Sequence, residues 1–293
     1  MKAVALALWL TLVPVLAQGT PALAADRIAV VAAENFYGDI ARQIGGEHVA
    51  VVSIMNNPEQ DPHLFETTPA TVRQIAKAQI VIINGANYDP WIEKLLSATP
   101  RAGRVVITAA DLTGRKAGDN PHLWYDPRTM PAVATAIADA LTKADAAHAS
   151  DYAARLKTTL AGLERVTARV AQLKAKHAGT AVTATEPVFG PMADALGLTM
   201  RNQRFQLAMM NDTEPSARDL AAFERDLRDR AVKVLIYNSQ VSEKLTERLR
   251  DIAIKSKVPV VGVTETMPAN TSFQDWVLGE LDAIDKALSG PSS

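Results

Sequence analysis

Short runs rich in Val and Ile recur along this 293-residue chain, among them VVIT at 105–108, VLIY at 234–237 and PVVGV at 259–263. They show almost no polar alternation. A strand with no polar face is buried on both sides, as in a parallel sheet covered by helices. Strands are predicted at 28–33, 49–55, 80–84 and 105–108 in the first half, and at 181–185, 199–206, 232–237 and 258–263 in the second. Helical patterns fall between them at 36–44, 69–77, 90–96, 131–143, from 192 past 195, at 216–230 and at 243–257. Alternation of this kind builds βαβ units. The expected fold class is α/β, with two lobes, each a mostly parallel sheet flanked by helices.

The segment between the halves has a different texture. From Ala149 to His177 there is no proline and only Gly162, while Tyr152, Leu156, Leu160, Leu163, Val166, Val170 and Leu173 recur every three or four residues. One apolar face on an otherwise charged helix results, about 40 Å long at 1.5 Å per residue. It reads as a rigid strut that joins the lobes and packs against both, restricting opening and closing to a small tilt. A coiled-coil seam for a partner is the alternative. The predicted organisation is a signal peptide at 1–25, a first α/β lobe at 26–147, the interlobe helix at 148–177 and a second α/β lobe at 178–293.

Composition narrows the chemistry. Zero cysteines exclude disulfides, thiolate zinc sites, iron–sulfur clusters and cysteine nucleophiles. A net charge of −1 gives no electrostatic case for nucleic acid. The first 25 residues carry one lysine, an apolar stretch broken by Pro14, and a small-x-small site at Ala22-Leu23-Ala24. That is a secretory signal and too short an apolar core for a membrane anchor. Without a cysteine to carry lipid, the mature chain is expected to be soluble outside the cytoplasm, free of an anchor.

Any metal must then be held by His, Asp or Glu, and only five histidines exist. Two sit in matching loops, Asp61-Pro62-His63-Leu64-Phe65 and Asn120-Pro121-His122-Leu123-Trp124, each past the carboxyl end of a predicted strand. That is the edge where open α/β sheets bind ligands. In the second half, Glu186 and Glu265 each follow the end of a predicted strand. Two imidazoles and two carboxylates facing one cleft suit a first-row divalent cation. His48 reads as a turn residue, and His148 and His177 as brackets of the long helix. Glu34 and Asn35 lie on the functional edge as supporting groups. The chain has no Gly-x-Ser-x-Gly, phosphate loop or His-Glu-x-x-His.

These residues resemble family 9 (cluster A-I) solute-binding proteins, the periplasmic receptors of zinc and manganese ABC transporters. The likeness covers the two Pro-His loops, the strut, and the order His, His, carboxylate, carboxylate at His63, His122, Glu186 and Glu265. The fourth position is commonly Asp in the family; Glu265 stands there, and Asp275 is a fallback. The resemblance implies capture of one divalent transition metal per chain, Zn²⁺ or Mn²⁺, in the periplasm, and its delivery to a membrane permease. A metallochaperone is a further candidate partner, and a receptor docking through both lobes is expected as a monomer. Residues 110–120 hold no His-rich loop. With two carboxylates, that composition leans to manganese and leaves zinc and iron open. The function implied is binding without turnover. The alternatives are a secreted metal-dependent hydrolase, which would need an open coordination position, and a surface adhesin, for which no repeat or stalk is encoded.

Overall fold

A computed structural model describes residues 27–57, 65–241 and 243–290. The predicted signal peptide and His63 lie outside the described residues. The first half forms strands β1 (Ile28–Glu34), β2 (Val49–Met55), β3 (Ile80–Ile83) and β4 (Val105–Thr108), all parallel in the order β2-β1-β3-β4. Helices α1 (Asn35–Gly45), α2 (Pro69–Lys77), α3 (Pro90–Ala98), α4 (Ala109–Thr113) and α5 (Thr129–Ala144) accompany them. Next comes α6 (Ala149–His177), the long helix.

The second half repeats the plan with β5 (Ala181–Ala184), β6 (Thr199–Arg201), β7 (Leu235–Asn238) and β8 (Val260–Val263), parallel in the order β6-β5-β7-β8. Its helices are α7 (Gly190–Ala195), α8 (Gln203–Met210), α9 (Ala217–Arg228), α10 (Lys244–Lys255) and α11 (Phe273–Ser289). In each sheet the chain reverses direction of winding beside its first strand, so a crevice opens at the carboxyl ends of β1 and β3, and of β5 and β7.

The run VVIT, expected to be buried on both faces, is edge strand β4 and leaves Val105 and Val106 exposed. Two further segments differ from the sequence reading. The strand expected at 199–206 stops at Arg201, because Asn202 adopts a left-handed conformation (φ 59°) and α8 begins after it. The C-terminal α11 is an addition to the predicted helices. Its signals are local: Ser272 Oγ accepts from the Asp275 amide at 3.1 Å, and Phe273, Trp276, Val277, Leu281 and Ile284 form a buried stripe.

α6 extends for 29 residues, and its apolar face, including Tyr152, Leu163, Val166, Val170 and Leu173, is buried within the chain against α1, α5 and α11. No seam is left for a coiled-coil partner on that face. α11 is tied to the end of α6 by ions: Arg169 reaches Asp282 (2.7 Å) and Asp285 (2.9 Å), and Lys176 and His177 both reach Asp285 at 2.8 Å. His177 thus acts as a partner of Asp285, whose pKa is held well below the usual carboxylate range, first by the hydrogen bond from His177 and then by that from Lys176. A continuous apolar core runs from Ile28 through α6 to Ile284 and crosses both halves. Between the sheets stand packed aromatics: Phe36 lies 4.7 Å from Trp124 and 6.0 Å from Trp276, and Tyr125 lies 5.3 Å from Phe189.

Candidate metal centre

His122 leaves the loop after α4 and turns inward, 1% exposed, beneath Tyr88 and Trp124. Asn120 governs it. The Asn120 Oδ1 accepts from the His122 backbone amide (3.0 Å), while its Nδ2 donates to the Pro187 carbonyl (2.8 Å). Neither partner can exchange roles, so the orientation of the amide is fixed. The His122 Nδ1, 2.7 Å from the same Oδ1, must therefore carry the ring proton and donate. Nε2 is left with its lone pair. It points at Glu265 Oε2 at 3.4 Å and has no hydrogen bond. A fixed tautomer with the free nitrogen turned inward is how ligating histidines are held.

The carboxylates come from the second sheet. Glu186 follows β5 and Glu265 follows β8, and both are buried. Asn238, the last residue of β7, donates through Nδ2 to Glu186 Oε2 (3.1 Å) and to Glu265 Oε1 (2.6 Å). Its own Oδ1 accepts from the Gln240 amide at 3.0 Å, which fixes the flip. Tyr88, from the first lobe, donates to Glu265 Oε2 at 3.0 Å. Burial first, and then the charge of Glu265, raise the Tyr88 pKa well above its ordinary value, so it stays a donor.

The backbone around Glu265 is clamped from both sides. Gln240 Oε1 accepts from the amides of Glu265 and Thr266. From the other lobe, Asn35 accepts from the Met267 amide (3.0 Å) and donates to its carbonyl (2.6 Å). Beneath His122, Tyr37 donates to Asn84 Oδ1 (2.8 Å), and Asn84 Nδ2 donates to the Pro121 carbonyl (2.8 Å). The turn 85–87 that presents Tyr88 has three successive positive φ angles (74°, 52° and 66°). Alanine and asparagine are strained there, and the strain is held by Asp89, which accepts from the Asn84 (2.7 Å) and Gly85 (2.8 Å) amides. Burial raises the Asp89 pKa to about 6. Next to it Glu34 is fully buried; burial first, and then the charge of Asp89, raise its pKa well above the carboxylate range.

Of the predicted ligands, His122 and Glu265 face each other directly, and Glu186 joins through Asn238. The ligand atoms of these three do not all lie within 4.8 Å of one another. His63 lies outside the described residues. The fallback Asp275 is exposed in the first turn of α11, bonded to Ser272 at 2.8 Å. Asn35 supports the site, in keeping with its place on the functional edge. Asn120, Asn238, Gln240 and Tyr88 are supports that sequence reasoning missed; Asn238 had the one available signal, a polar residue ending a buried strand on the functional edge.

Residues 30–287 match the family of ZnuA, the periplasmic component A of a zinc-uptake complex. The chain belongs to this family: it is a metal-binding substrate-binding protein of an ABC transporter, and not an enzyme. The metal ABC transporter substrate-binding lipoprotein SloC of Streptococcus mutans is 24% identical over 90% of this chain and 90% of its own length. The iron-binding protein YfeA of Yersinia pestis is 31% identical over 47% of this chain and 46% of its own. The fold matches that of the periplasmic zinc-binding protein TroA from Treponema pallidum, with a TM-score of 0.75 and 21% identity, over 89% of this chain and 99% of the other. Among the described residues no helix is long and apolar enough to cross a membrane.

Proposed function

We propose that this chain captures one divalent transition-metal ion between its two lobes, on His63, His122, Glu186 and Glu265, and releases it to its permease. The observation that carries this reading is the buried pair His122 Nε2 and Glu265 Oε2, two lone-pair atoms 3.4 Å apart. Two acceptor atoms facing each other in a dry pocket repel unless a proton or a metal ion sits between them, and an ion bound there would be held by both lobes. The ion is the cargo. Two neutral imidazoles and two carboxylates would replace its water and cancel its charge.

Lobe boundaries at 26–147 and 178–293, with 148–177 between them, suit this reading, because His63 and His122 then lie on one lobe and both glutamates on the other. The chain acts as a monomer, loaded directly or by a metallochaperone. With no cysteine in the sequence, nothing offers the lipid attachment of the relatives named lipoproteins, which favours a soluble periplasmic form. Carboxylates suit Mn²⁺, and Zn²⁺ binds most such sites more tightly. The test is elemental analysis of metal-stripped protein offered equal Zn²⁺ and Mn²⁺. One cleft ion that disappears in His63→Ala and in His122→Ala is expected, and its identity selects the metal. A metal count as high in both variants as in the unmodified protein overturns the assignment.

A further inference from the structure

Two histidines that look unrelated in sequence meet far from the cleft. His48 closes the helical turn Gly46–His48 before β2, and His148 closes the turn Ala146–His148 before α6. Both lie at the amino-terminal edge of the first sheet, the edge away from the ligand crevice, since every strand there runs towards the crevice. Their rings stack with centroids 3.9 Å apart and planes at 22°. Asp145, the C-terminal cap of α5, completes a group of three whose ligand atoms all lie within 4.8 Å of one another.

We propose that His48, Asp145 and His148 form a second divalent-cation site, one for a borderline ion such as Zn²⁺. Two imidazoles and a carboxylate are its usual protein ligands, at about 2.0–2.2 Å from the ion, which places tetrahedral ligands about 3.3 Å from one another. The ligand atoms already lie within 4.8 Å of one another, and they close to the tetrahedral spacing as the two rings rotate apart. The carboxylate is already oriented by its neighbours, because Asp145 Oδ2 accepts from Tyr152 Oη at 2.8 Å and from His148 Nδ1 at 2.6 Å. Tyr152 itself is fully buried, so the orienting group is anchored in the core. Asp151, on the first turn of α6, stands beside the site with its Oδ2 3.2 Å from His48 Nε2. The site is part-exposed and open to an ion from solvent; Tyr152 holds the carboxylate in place, while one imidazole turns out of the near-parallel stack so that both ring planes meet at the ion.

The site stands independently of the cleft reading. Metal-stripped protein is dialysed against Zn²⁺ alone, and bound zinc is counted in the unmodified chain and in His48→Ala, His148→Ala, His148→Gln and His122→Ala. The expected result is two ions in the unmodified chain. One should remain in His48→Ala, His148→Ala and His148→Gln, and it should be lost only when His122 is also removed. His148→Gln keeps a donor for Asp145, so unchanged thermal unfolding with loss of one ion separates ligation from a structural hydrogen bond. Co²⁺ in place of Zn²⁺ should give a tetrahedral visible spectrum in His122→Ala that disappears in His122→Ala/His148→Ala. A zinc count unaltered by all three variants at His48 and His148, or a cobalt spectrum that survives the double variant, overturns the proposal. A count unaltered by His122→Ala alone would instead overturn the cleft assignment.

Discussion

Asn120 and Pro187 are joined across the lobes by a 2.8 Å hydrogen bond, and through it the second lobe decides which nitrogen of His122 faces the crevice. Pro187 is next to Glu186, so the residue that fixes the imidazole is tied to the backbone of the opposing carboxylate. The two halves of the candidate centre are thereby registered before any ion arrives. Asn238 does the same for the glutamates, with one amide group bonded to both.

Removing that registration should weaken binding without removing a ligand. Asn120→Ala leaves His122 in place but frees its ring to rotate and to adopt either tautomer. Loss of such an orienting partner typically costs 10- to 100-fold in metal affinity, and that range is expected here. Competition against a chelator of known affinity measures it. An Asn120→Ala affinity equal to that of the unmodified protein would mean that the loop alone orients His122.

Because the ligands converge only in the folded chain, the ion should stabilise it by mass action. At free ion 100 times above the cleft dissociation constant, the gain is about 2.7 kcal/mol, a rise of several degrees in the unfolding midpoint for a protein of this size. In His122→Ala the rise at the same ion concentration should largely vanish. Differential scanning calorimetry with and without the ion checks this, and an equal rise in both proteins would locate the stabilising ion elsewhere.

Much of this molecule is legible in the sequence for simple reasons. Runs such as IVII in β3 are buried on both faces, so their composition alone marks a parallel sheet. α6 is long and uninterrupted, so its period stands out. The Pro-His loops are recognisable because they occur twice. The supports of the site are harder to find. Asn120 and Asn238 matter because of partners 67 and 52 residues away, and no local pattern encodes that. His48 and Asp145 are likewise far apart in the chain, and stacking of His48 on His148 follows from how β2, α5 and α6 meet. α11 is legible in principle, since Ser272 caps it and its apolar residues recur at helical spacing after a polar loop.

The aromatic contacts between the sheets predict one cooperative unfolding event rather than two. Phe36 is fully buried and packs against Tyr37 (4.7 Å), Trp124 (4.7 Å) and Trp276 (6.0 Å), so it belongs to the core shared by both halves. Phe36→Ala should cost about 3–5 kcal/mol, the usual range for emptying such a site. Tryptophan fluorescence and far-UV circular dichroism should report the same shifted transition. If the variant instead unfolds in two steps, with the second sheet unaffected, the lobes are energetically separate.

Behind the Thr264–Glu265 segment, a buried acid should make the protein less stable as pH rises. Tyr125 Oη lies 2.7 Å from both the Thr264 carbonyl and Glu280 Oε2, yet has one proton to give. The Thr264 carbonyl can only accept, so the phenol satisfies it, and Glu280 must bring a proton of its own to Tyr125. Glu280 Oε1 meanwhile accepts from the Thr264 amide (3.2 Å) and Trp276 Nε1 (3.0 Å). Burial pushes the Glu280 pKa up to about 8, which agrees with a neutral acid. The unfolded carboxyl releases its proton near 4.5, so between these values the native state binds one proton more than the unfolded state. The stability this group contributes is complete below pH 4.5 and is lost as pH rises towards 8. At about 1.4 kcal/mol per pH unit, the whole window is worth on the order of 5 kcal/mol. Asp89, with its pKa raised to about 6, adds a slope of the same sign only at lower pH. Glu280→Gln can make every one of these bonds, its oxygen accepting twice and its amide donating to Tyr125. The variant should match the unmodified protein near pH 4 and exceed it by an amount that grows from pH 5 and levels off above pH 8. Urea unfolding at each pH measures the difference, and a Glu280→Gln protein that is equally destabilised at pH 5 and pH 8.5 would show that Glu280 is ionised in the fold.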